Sequence, residues 1–101
     1  MSYEYYRSFK FRYVTDHRTE GAMRIYLENE PSYGTRDKST YITHRWPDNH
    51  DGFTHPPYIC IKEEFKPKSL EAAMRLAHDW ADRTLSYINT GIGISEQIRR
   101  G

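Results

Sequence analysis

The sequence predicts an α+β domain of two layers: a four-stranded antiparallel sheet, in the order ββββα, carrying one long C-terminal helix on one face. Three observations carry this. Residues 69–90 hold a helical periodicity, four upstream segments alternate at every second residue, and the connections are too short for parallel crossovers.

The helix is the firmest element. Advancing 100° per residue, Leu70, Ala73, Leu76, Ala77, Trp80, Ala81, Leu85, Tyr87 and Ile88 share one half of the wheel, and Glu71, Arg75, His78, Asp79, Asp82 and Arg83 take the other. Ser69 supplies an N-cap hydroxyl, Pro67 cannot enter a helix interior, and Gly91 suits the left-handed residue that ends a helix. The apolar half is wide, about 180°, where packing on one sheet needs a stripe of about 100°. A further element must therefore cover Leu76, Trp80 and Tyr87, either a loop or tail of the same chain or a second subunit.

The first strand, 5–15, sets Tyr5, Phe9, Phe11 and Tyr13 against Ser8, Lys10 and Arg12, with Arg7 breaking the aromatic series. Residues 16–21, DHRTEG, read as a turn, and 22–28 alternates again to complete a hairpin. After a Pro- and Gly-containing loop, 39–46 is the third strand. Residues 47–57 form a long polar connection, and 58–65 is the fourth strand. The expected inward face is Phe9, Phe11, Tyr13, Met23, Ile25, Leu27, Ile42, Trp46, Ile59 and Ile61. The tail, 92–101, carries Ile92, Ile94 and Ile98.

The 101 residues fit one domain with one core. Fifteen basic against fourteen acidic side chains give a net charge of +1, so no global field announces a nucleic-acid or anionic-membrane partner. A single cysteine excludes an internal disulfide framework, and no segment resembles a signal peptide or a membrane span. The expected setting is cytoplasmic and away from membranes.

Aromatic residues, 15% of the chain and including nine tyrosines, are the compositional signal. The outward sheet face is expected to show Tyr6, Lys10, Arg12, Arg24, Tyr26, Tyr41, Arg45, Tyr58 and Lys62. Such a face fits three roles: a solvated sheet laced by cross-strand pairs, a protein interface, or a surface that stacks single-stranded nucleic acid. The leading expectation is a small non-enzymatic binding or adaptor domain acting through protein–protein contacts, including self-association as a homodimer, at Tyr26, Tyr41, Tyr58, Leu76, Trp80 and Tyr87. The alternative is a single-strand nucleic-acid module using Tyr6, Lys10, Arg12, Arg24, Arg45 and Lys62. A second alternative is a metal site among His44, Asp48, His50, Asp51 and His55, although their spacing matches no metal signature. No phosphate loop, nucleophile elbow or spaced carboxylate pair is present, so neither an enzymatic activity nor a cofactor is expected.

Overall fold

The structure, a computed structural model, describes residues 2–16 and 21–101. Five strands form one antiparallel sheet: β1 (Ser2–Tyr6), β2 (Phe9–Thr15), β3 (Met23–Asn29), β4 (Arg45–Trp46) and β5 (Tyr58–Ile59), in the spatial order β1-β2-β3-β5-β4. Helix α2 (Leu70–Thr90) packs on one face, and two shorter helices, α1 (Thr40–Thr43) and α3 (Ile94–Arg100), close its flank. This is the expected α+β architecture with one more strand. The turn expected over 16–21 lies largely outside the described residues.

The extra strand arises where Arg7 broke the alternation. Arg7 adopts a left-handed φ of 53°, and Arg7 and Ser8 turn the chain back so that Tyr6 pairs with Phe9, Tyr5 with Lys10 and Tyr3 with Arg12. The single strand expected over 5–15 is thus a hairpin. Partners directly opposite share a face, so Tyr6 sits on the core side with Phe9, not on the outward face.

Two further strands are shorter than the alternation suggested. Over 40–43 the backbone makes a helical turn, with the Thr43 hydroxyl donating to the Ser39 carbonyl at 2.8 Å. Threonine can satisfy itself locally in this way instead of joining a ladder. His44 then takes a left-handed φ of 53° and the strand resumes for two residues only. This resets the two-residue phase, so Arg45 is buried and Trp46 faces outward, the reverse of expectation. Beyond Ile59 the chain leaves the sheet, and the consecutive charges Lys62, Glu63 and Glu64 lie exposed at and in a 3-10 turn, Glu63–Phe65. Phe65 and Lys62 are consequently exposed and off the sheet.

Phe9, Phe11, Tyr13, Ile25, Leu27 and Ile59 form the sheet side of the core, against Ala73, Ala77, Trp80 and Ala81 of α2. The small alanines let the helix approach closely, and the Phe9 ring meets the Trp80 edge at 5.3 Å between centroids. The helix caps follow the sequence: the Ser69 hydroxyl accepts from the Ala72 N–H at 3.1 Å, and Gly91 takes a φ of 81°. The wide apolar half of α2 is covered by its own chain. The Trp80 indole N–H donates to the Thr43 carbonyl, the Tyr87 hydroxyl donates to the Asp37 carbonyl, and Ile94 of α3 joins the core. Trp80 and Tyr87 are therefore buried, and Leu76 half-buried, so none stands as an open interface.

Candidate functional site

With α2 on one face, the strand alternation sends the remaining side chains to the other. The pairings place Tyr3 opposite Arg12, Tyr5 opposite Lys10, Arg12 opposite Tyr26, and Tyr58 between Tyr26 and Trp46. This open face has two halves.

The half over β3, β5 and β4 is furnished by the connection 47–57, which folds back onto it. The Arg12 guanidinium lies 4.4 Å from the Tyr26 ring centre and pairs with Glu28. Arg24 lies 4.1 Å from the Tyr58 ring centre, 3.4 Å from an Asp16 carboxylate oxygen and 4.0 Å from an Asp51 one. His50 stacks on Trp46 with centroids 4.7 Å apart, and its Nε2 is 3.0 Å from the Tyr58 hydroxyl. His55 meets the Tyr58 ring edge-on at 5.4 Å. The loop is held by its own backbone: the His55 N–H donates to the Asn49 side-chain carbonyl at 3.0 Å, and the Asn49 N–H donates to the His55 carbonyl at 3.3 Å. The Phe53 N–H, 3.1 Å from Asp51, together with His55, holds the Asp51 carboxyl below its ordinary range.

The half over β1 and β2 carries no covering loop among the described residues. Tyr3 and Tyr5 are 54% and 76% exposed on an edge strand, with the Lys10 ammonium 5.0 and 5.2 Å from their ring centres.

Several expected site residues stand elsewhere. Tyr6 is on the core side, stacked on His78 at 4.0 Å with its hydroxyl donating to Asp82. Tyr41 is exposed on α1, off the sheet. Arg45 points inward, its Nε 3.1 Å from Glu30 in an ion pair not aligned as a hydrogen bond, and its guanidinium 5.4 Å from the Tyr33 ring centre. His44 contacts the Ser95 hydroxyl at 2.9 Å, and Asp48 is exposed outside the group that His50, Asp51 and His55 form.

Lys10, Arg12, Arg24, Tyr26 and Tyr58 do share the open face as expected. Tyr3, Tyr5 and Trp46 were missing from that set because each depends on strand phase. The break at Arg7 was the signal for the first two; the helical turn before Trp46 left none.

Fold and site together define an α+β domain with one exposed aromatic edge and one loop-covered patch. No family model, curated protein or solved structure matches the chain. Among the described residues no helix is long and apolar enough to cross a membrane.

Proposed function

We infer that the chain is a small protein-binding domain whose contact surface is the free edge of β1, and that its first partner is a second copy of itself. The supporting observation is a five-residue strand that, among the described residues, ends the sheet unpaired on one side and presents two exposed tyrosines. An unpaired strand edge offers a ladder of N–H and C=O groups that another strand can complete. Antiparallel pairing about a two-fold axis lets identical edges complete each other. Centred on Glu4, such pairing sets Tyr3 of one copy opposite Tyr5 of the other, and aromatic cross-strand pairs of this kind contribute about 0.2–1 kcal/mol each. The Glu4 carboxylates would approach on the core side, where each already accepts from the Tyr13 hydroxyl at 2.7 Å and contacts His78 at 2.9 Å.

Protein contact is favoured over nucleic acid because the guanidiniums of this face are already matched: Arg12 by Glu28, and Arg24 by Asp16 and Asp51. Phosphate binding draws its affinity from cations whose counterions can be released. Native mass spectrometry and sedimentation of the untagged protein test the reading. A dimer is expected, with the double variant Tyr3→Ser/Tyr5→Lys monomeric and unchanged in circular dichroism. A wild-type chain that stays monomeric at all concentrations, or a double variant that remains dimeric, rejects it.

A further inference from the structure

The side chain of His55 is 7% exposed, and both its ring nitrogens face groups that can only accept: Nδ1 lies 2.6 Å from the Pro56 carbonyl oxygen, and Nε2 lies 2.9 Å from Asp51 Oδ1. A neutral imidazole carries one N–H and one lone pair, so it can satisfy only one of them. With Nδ1–H donated to the nearer carbonyl, Nε2 would turn its lone pair toward a carboxylate. That arrangement is repulsive unless a positive centre lies at Nε2, either a second proton or a metal ion.

The surroundings favour the metal. His50, Asp51 and His55 each offer a ligand atom, all within 4.8 Å of one another. A hydrogen bond from the far ring nitrogen to a backbone carbonyl is the usual device for orienting a ligating imidazole and raising its basicity. We propose that His50, Asp51 and His55 form a binding site for one divalent transition ion of the zinc type. Two imidazoles and one carboxylate select such ions over calcium or magnesium, which take oxygen ligands, and three protein ligands leave a fourth position for water. Tetrahedral ligands sit about 3.3 Å apart, so the loop must close slightly around the ion. The exposed His50 ring supplies that movement by exchanging its Tyr58 contact for the metal while it slides on Trp46. Arg24, 4.0 Å from Asp51 Oδ2, leaves Oδ1 as the coordinating oxygen. His44 and Asp48 take no part.

The test uses untagged protein stripped with a chelator and then dialysed. Zn²⁺ alone is titrated by calorimetry, and Co²⁺ is added as a visible-absorption probe of tetrahedral coordination. One equivalent per chain is expected, with Kd on the order of micromolar or tighter, undiminished by excess Mg²⁺ or Ca²⁺. Because His55 is buried and its removal could unfold the loop, the diagnostic variants are the exposed His50→Ala and Asp51→Asn, each checked by circular dichroism. Both should weaken Zn²⁺ binding by about tenfold or more, whereas His44→Ala should not. Absence of heat and of cobalt absorption, with ring-nitrogen NMR showing both His55 nitrogens protonated, would mean an imidazolium–carboxylate pair only and overturn the proposal. So would binding that persists unweakened in both variants. The stoichiometry per chain is independent of whether β1 pairs with a second copy.

Discussion

Trp80 and Thr43 are joined by a buried hydrogen bond, the indole N–H donating to the carbonyl at 2.9 Å across a sequence separation of 37 residues. This bond fastens the α1 turn to the middle of α2, and it explains how the chain covers its own helix flank. Trp80→Phe keeps a ring against Phe9 but leaves the Thr43 carbonyl without that donor. An unsatisfied buried polar group costs about 1–3 kcal/mol. Urea unfolding should show a loss in that range at unchanged m-value, and a loss below about 0.5 kcal/mol would mean that water replaces the indole.

Arg45 and Glu30 make another tie between distant segments, with side chains 9% and 17% exposed. Removing one member of such a pair strands the other charge, at about 3–5 kcal/mol for a fully buried pair. Arg45→Met should therefore destabilise by about 3 kcal/mol, and adding Glu30→Gln should restore most of it. Single and double variants with equal stability would show that the pair does not matter.

The same carboxylate gives a pH signature. Burial raises the Glu30 carboxyl above its ordinary 4.5, against the opposing pull of Arg45 and the Tyr33 hydroxyl. The folded chain then holds this proton more tightly than the unfolded chain. The stabilisation is fully present below the ordinary value and is lost as pH rises through the raised one. Relative to Glu30→Gln, the wild type should lose stability as pH is taken upward from about 4, and a constant or opposite difference would contradict the raised value.

The helix, its caps, and the phase of β2 and β3 were legible because long periodic runs average out local exceptions, and Phe9, Phe11, Tyr13, Ile25 and Leu27 are all buried as their alternation required. What was illegible turns on single backbone conformations. Left-handed residues at Arg7 and His44, neither of them glycine, reverse the phase of Tyr6, Arg45 and Trp46. The convergence of His50 and His55 on Tyr26 and Tyr58 lay equally beyond the sequence, which presented an aromatic face and a polar loop as two separate candidates. Only the fold of the loop onto the sheet makes them one place.

Thr84 is fully buried on the sheet-facing side of α2, and its hydroxyl oxygen has no hydrogen-bond partner among the described residues. In a helix a threonine hydroxyl can turn back to the carbonyl four residues earlier. Here it does not, and the group is desolvated without return. Valine has nearly the same shape, fits the helix in one dominant rotamer, and removes the polar atom. Thr84→Val should stabilise the protein by about 1 kcal/mol, at the low end of the penalty for a buried unsatisfied group. For a chain of this size that corresponds to a rise in Tm of about 4–8 °C by calorimetry. A fall in Tm would show instead that the hydroxyl finds a partner in solution.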